Sequence, residues 1–233
     1  MIKKIGWVKK RPDLTRQQFR EYWLNNHSKL EKESAQNNPV RKIVVSFVVG
    51  ENPAPFDGMV ELYWNNEEDM KAQAAGPQGK IMAADEKNFC DQSAAPVFVV
   101  AEEYVMAEKT PRQYEEGGVK KVGFVKKRPD LTRQQFREYW LNNHSKLEKE
   151  SAQNNPVRRI VASFVVGEDP APFDGMVELY WATEADMKAQ AAGPQGKIMA
   201  ADEKNFCDQS TAPVFVVAEE YVMAVKTPWR TAV

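Results

Sequence analysis

The stretch KKRPDLTRQQFREYWLNNHSKLEKESAQNNPV runs from Lys9 to Val40 and returns, letter for letter, from Lys126 to Val157. Followed outward, the match pairs Lys4–Pro111 with Lys121–Pro228, and only ten of 108 aligned positions differ. A period of 117 residues is too long for a solenoid, whose units run ~20–50 residues. It is the size of a small domain. The 233-residue chain is therefore a tandem duplication, from natural duplication or gene fusion alike. Its expected parts are a first repeat over 1–110, a linker over 111–120 and a second repeat over 121–233.

Within one copy the pattern reads strand, helix, strand, strand, helix, strand. Ile2–Lys10 has β-type residues and ends in a basic run, and Pro12-Asp13 turns the chain. Thr15 and Gln18 stand in capping-box register, which starts a helix. Phe19, Trp23 and His27 recur at helical spacing, and Tyr22 and Leu30 extend the pattern to about Ser34. Val40–Val49 is β-branched, Gly58–Trp64 reads as a strand, and Asn66 caps a second helix through Ala75. Gly76-Pro77 interrupts that helix, which resumes to about Phe89, and Val97–Met106 is the last strand. The order βαββαβ is the ferredoxin-like arrangement.

Two helices can cover only one face of such a sheet, and an uncovered face in water would alternate apolar with polar. Here Ile43, Val45, Phe47 and Val49 lie on one face while Val44 and Val48 lie on the other. Val97 and Val99 oppose Phe98 and Val100 in the same way. Both faces are apolar, so the uncovered one needs a partner, and the other copy can supply it. Glu108–Lys120, carrying Pro111, Glu115-Glu116 and Gly117-Gly118, suits an exposed connection. The expected class is α+β: two ferredoxin-like repeats packed sheet-to-sheet as an intramolecular pseudo-dimer, with further self-association left open.

Charge and composition exclude several partners. Thirty-two basic against thirty-three acidic side chains leave a net charge of −1, without the basic excess of a nucleic-acid binder. No apolar run reaches the ~20 residues that cross a bilayer. The start Met-Ile-Lys-Lys-Ile-Gly-Trp lacks the apolar core of a signal peptide, so a cytoplasmic protein is expected. Two cysteines build neither a disulfide framework nor a zinc site. No metal cluster, phosphate loop or nucleophile elbow is present.

The chemistry available is acid–base. The only two histidines, His27 and His144, hold the same place in each copy. Their stripe should face the sheet, among aromatics. A neutral imidazole there is a natural general base, or else a buried structural group bonded to a backbone carbonyl. Glu61 and Glu178 sit inside apolar strands, where a carboxylate is costly unless paired. They either serve a substrate or pair with Arg41 or a lysine. Tyr22, Trp23 and Tyr63, with Tyr139, Trp140 and Tyr180, either wall a pocket or fill the core. Asp57, Asp85 and Glu86 recur without an assigned role, and Cys90 reads as an inert buried thiol. Trp7 against Phe124 and Val45 against Ala162 make any second site the roomier one.

Lys10-Arg11-Pro12-Asp13-Leu14-Thr15, Phe19-x-x-Tyr22-Trp23 and His27-Ser28-Lys29-Leu30, with Phe56–Trp64 and Ala84-Asp85-Glu86-x-x-Phe89, resemble the EthD-type family of dimeric α/β-barrel proteins. The family's usual His-Gly-Pro-Leu is His-Ser-Lys-Leu here. The resemblance implies ferredoxin-like repeats whose sheets pair into a barrel, with a pocket between helices and sheet in each half. It also implies polyketide cyclase or dehydratase relatives, mostly without a cofactor, and acid–base work for the helix-one histidine. Wider barrel relatives include lactone isomerases and haem enzymes. The function expected first is a cofactor-free cyclase, dehydratase, lyase or isomerase acting on a hydrophobic, oxygenated small molecule. A non-catalytic binding or stress protein and a haem-binding barrel enzyme are the alternatives.

Overall fold

The computed structural model describes residues 1–50, 54–74, 76–94, 97–109, 118–167, 170–211 and 213–226. In the first repeat the elements are β1 (Ile2–Val8), α1 (Arg16–Tyr22), α2 (Ser28–Asn37), β2 (Lys42–Val48), β3 (Gly58–Trp64), α3 (Glu67–Ala74), α4 (Pro77–Glu86) and β4 (Val97–Glu108). The second repeat supplies β5 (Val119–Val125), α5 (Arg133–Tyr139), α6 (Ser145–Asn154), β6 (Arg159–Val165), β7 (Gly175–Trp181), α7 (Glu184–Ala192), α8 (Pro194–Glu203) and β8 (Val214–Val225). The expected linker lies mostly outside the described residues, and β5 already begins at Val119. No helix among the described residues is long and apolar enough to cross a membrane.

The chain divides into two compact units, Met1–Ala101 with the last strand from Glu220 onward, and Glu102–Glu219. The cut falls inside the last strand of each repeat. Val97–Ala101 of β4 belongs to the first unit and Glu102–Glu108 to the second; β8 divides in the same way after Glu219. The first unit thus holds the strand order β4-β1-β3-β2-β8, and the second β8-β5-β7-β6-β4. Both are cut from one hydrogen-bonded order, β1-β3-β2-β8-β5-β7-β6-β4, which closes as a barrel. The fold is the expected α+β barrel of two ferredoxin-like repeats.

Local chemistry explains the elements of the first unit. Thr15 accepts from the Gln18 N–H at 3.1 Å while the Gln18 side chain accepts from the Thr15 N–H at 2.9 Å, so the capping box forms as read. Asn66 caps α3 by accepting from the Asp69 N–H at 2.8 Å. Pro77 opens α4 behind Gly76, where its missing N–H leaves nothing unsatisfied. Every residue of β2 is buried, as the doubly apolar pattern requires. Antiparallel pairing puts Val45 opposite Val60 and Ile43 opposite Leu62. Ile43, Val45 and Phe47 join Phe19, Trp23 and Phe89 in the core under the helices. At Gly58 a Cβ would sit 3.1 Å from the rings of Phe19 and Trp23, so glycine lets the helix approach the strand.

The opposite face of β3 carries Glu61. Lys3 on β1 donates to it at 2.6 Å and Tyr63 at 3.1 Å, and both ions of the pair are fully buried. Either charge alone at that depth would be costly. The second unit repeats the pair as Lys120–Glu178 at 2.6 Å.

Candidate acid–base site

Between α1 and α2 the helix widens into a π turn over Trp23–His27, closed by the Ser28 N–H reaching back five residues to the Trp23 carbonyl. Such turns are rare and recur at functional sites. Trp23 and His27 are both buried, and their rings meet edge-on at 5.8 Å. Phe89 closes on the imidazole at 4.9 Å. His27 therefore faces inward among aromatics, as its spacing predicts.

Its partner is a carboxylate, not a backbone carbonyl. His27 Nδ1 lies 2.8 Å from Asp85 Oδ2 at the end of α4. The Tyr22 hydroxyl donates to Asp85 Oδ1 at 2.8 Å and Asn88 to the same oxygen at 3.1 Å. Burial pushes the Asp85 carboxyl up, but the hydrogen bonds from His27, Tyr22 and Asn88 outweigh it and hold the group below the usual carboxylate range. An ionised Asp85 accepts, so Nδ1 carries the imidazole proton and the lone pair sits on Nε2. Burial lowers the His27 pKa below its ordinary value, against the opposing hydrogen bond and charge of Asp85. The ring is a neutral base near pH 7. The second unit matches it: His144 Nδ1 stands 2.7 Å from Asp202, Tyr139 donates to Asp202 at 2.8 Å, and burial lowers the His144 pKa.

In the first unit His27 lines a cavity of about 440 Å³, the size of pockets that take small organic ligands. Trp7, Trp23, Trp64, Met82 and Phe98 supply apolar wall. The polar lining includes Lys4, Glu31 and Glu86. Burial, helped by the Asp85 charge, raises the Glu86 pKa, and burial lowers that of Lys4. Cys90 also lines the cavity, but burial and the charges of Glu86 and Asp85 push its thiol far up, so it stays protonated. Among the described residues, His27, Glu31, Glu86, Cys90 and Asp91 do not bring three ligand atoms close enough to hold a metal ion.

The structure sorts the residues singled out from sequence. Trp7, Trp23 and His27 meet at the cavity. Tyr22 does not line it and instead holds Asp85. Val45, and Ala162 in the second unit, are core residues under the helices. Glu61 and Tyr63 face away from the cavity in the Lys3 cluster, and Tyr180 donates to Glu178 at 3.1 Å in the matching cluster. Phe124 packs on Phe173 at 4.9 Å, and Trp140 meets His144 edge-on at 5.6 Å. Sequence reading left Asp85 without a role and passed over Glu31. The stripe Phe19, Trp23, His27 continues by four more residues to Glu31, and that continuation was the available signal.

Comparison with known proteins bears on the family and the fold. Residues 11–93 and 128–210 each match the sequence profile of the EthD domain. No curated protein matches the chain. Among solved structures, an anthrone oxidase-like protein superposes with a TM-score of 0.67 at 10% identity, over 95% of this chain and 93% of that one. A candidate monooxygenase from Fusobacterium nucleatum gives 0.63 at 6% identity, over 95% and 93%. An EthD family protein from Bacillus halodurans covers 44% of this chain with 97% of its own length, at 20% identity and a TM-score of 0.36.

Proposed function

Because this chain belongs to the EthD family and carries its domain twice, we propose that each domain is a cofactor-independent acid–base site for a hydrophobic, oxygenated small molecule. The observation that carries the reading is His27: buried, bonded through Nδ1 to Asp85 at 2.8 Å, and placed on the wall of an apolar cavity. A base so placed takes a proton from a carbon next to a carbonyl, the step shared by cyclisation, dehydration and isomerisation of oxygenated aromatics. His27 and His144 are the bases. Asp85 with Tyr22, and Asp202 with Tyr139, orient them. Trp7 and Trp23 hold the substrate's apolar body, and Phe124 and Trp140 take their places in the second domain. Val45 and Ala162 shape the core behind them. Glu61, Tyr63, Glu178 and Tyr180 build the buried ion-pair clusters.

A simple enolisable ketone tests the reading without knowledge of the natural substrate. Wild-type protein in D₂O should exchange the α-hydrogens of 2-tetralone faster than buffer alone, followed by mass spectrometry. Exchange at the buffer rate contradicts the proposal.

A further inference from the structure

We propose that Glu31, with its counterpart Glu148, is the proton donor of this site: it delivers a proton to the substrate's carbonyl oxygen while His27 removes one from the neighbouring carbon. The assignment rests on the acid–base reading above and adds a second group to it. Glu31 lies four residues beyond His27 on α2 and lines the same cavity. Trp23 holds both groups in place. Its ring packs against the imidazole, and its indole N–H donates to Glu31 Oε1 at 3.1 Å. The other oxygen, Oε2, is buried and has no hydrogen-bond partner among the described residues. The second domain repeats these contacts: Trp140 meets His144 edge-on and donates to Glu148 Oε1 at 3.1 Å, and Glu148 Oε2 is again buried without a partner among the described residues. A carboxyl group with one oxygen held and the other left over is a costly way to satisfy an indole. Glutamine would accept the same hydrogen bond without burying an acid.

The state of the acid fits the task. Burial pushes Glu31 up to about 7 and Glu148 up to about 8. The indole hydrogen bond and Lys32 on its own helix oppose that rise in Glu31, and the Glu86 charge from α4 adds to it. Lys4, Lys9, His27, Cys90 and Asp91 are the other charged or titratable groups lining the cavity. Near neutrality the carboxyl therefore carries a proton on an oxygen that no protein group claims. In the step proposed, the α C–H bond breaks as its hydrogen bonds to His27 Nε2, and its electron pair becomes a C=C bond. The carbonyl π pair takes the Glu31 proton. The products are the enol, an imidazolium and a carboxylate. Where the enol is conjugated to a second C=C, return of the imidazolium proton to the far carbon shifts the double bond, and the enol O–H pair re-forms the carbonyl as its proton goes back to Glu31; this isomerises the substrate and restores both groups.

The test is 2-tetralone exchange measured against pH with the full chain. In Glu31→Gln/Glu148→Gln the indole keeps its acceptor, and near-UV circular dichroism reports the tryptophan environment. The expected result is a loss of roughly 10²-fold or more. Wild-type exchange should also decline as pH rises through about 7 to 8, and that decline should be absent from the Gln variant. In Glu31→Asp/Glu148→Asp, which keeps a shortened acid, the decline should move along the pH axis. This second variant carries the test if the first does not fold. Wild-type rates in the Gln variant, or a decline unmoved in the Asp variant, overturn the assignment. If His27→Ala/His144→Ala alone abolishes exchange, the base reading stands while the donor falls. A wild type without exchange above buffer removes both.

Discussion

Replacing His27 and His144 together with Ala lowers 2-tetralone exchange by ~10²–10⁴-fold, the usual contribution of a positioned general base. The fold survives, because the aromatic core around the ring (Phe19, Trp23, Phe47 and Phe89) is held by contacts among its own members. The single variants carry additional information, since each leaves the other domain's site intact. His144→Ala keeps the cavity walled by Trp7, and His27→Ala keeps the site that has Phe124 at that position. Different preferences for 2-tetralone and a bulkier ketone are expected from the two. Rates of the double variant equal to wild type would remove the histidines from the mechanism.

The second large effect is on stability. Glu31 and Glu148 in the fold hold their protons up to about 7 and about 8, whereas unfolded glutamates release theirs near ~4.3. Below pH ~4 both states are protonated and the two acids cost nothing. As pH rises, the unfolded chain releases its protons first, so stability falls until pH passes the folded values. The loss is on the order of 4–5 kcal/mol per site. Glu31→Gln/Glu148→Gln should therefore melt progressively higher than wild type between pH 5 and pH 9. The histidines act in the opposite sense. Their folded values are lowered, so they withdraw stability as pH falls below the ordinary ~6.5. Both variant and wild type keep that acid limb. Parallel melting profiles across the whole range would show that the carboxyls are not buried acids.

Much of this is written locally in the chain. The capping pair Thr15 and Gln18, the β-branched run of β2 and the interruption at Gly76-Pro77 act over a few residues, so their elements could be read directly. Glu61 was legible as a carboxylate needing a partner because it stands among apolar neighbours. Its partner, Lys3, comes from the adjacent strand 58 residues away, and no local pattern picks it from the other basic residues. The same separation hides the bond between His27 and Asp85. The histidine could be found because the chain has only two, but its orienting group waits on the approach of α4 to the π turn. That turn has no composition of its own. It widens the helix between Trp23 and His27, and reading the stripe as a plain helix stopped it one step short of Glu31. The division of β4 and β8 between the two units was likewise invisible, since the Glu pair at which each strand is divided does not interrupt its β pattern.

One measurement bears most directly on the claim that two neutral, carboxylate-oriented histidines are the bases of this protein. Nitrogen-15 NMR of the imidazoles is simple here, because His27 and His144 are the only histidines in the chain. The account predicts that both rings carry their proton on Nδ1, with the lone pair on Nε2, and that both titrate below the ordinary histidine value. Protons on Nε2, or titration above the ordinary value, would contradict it.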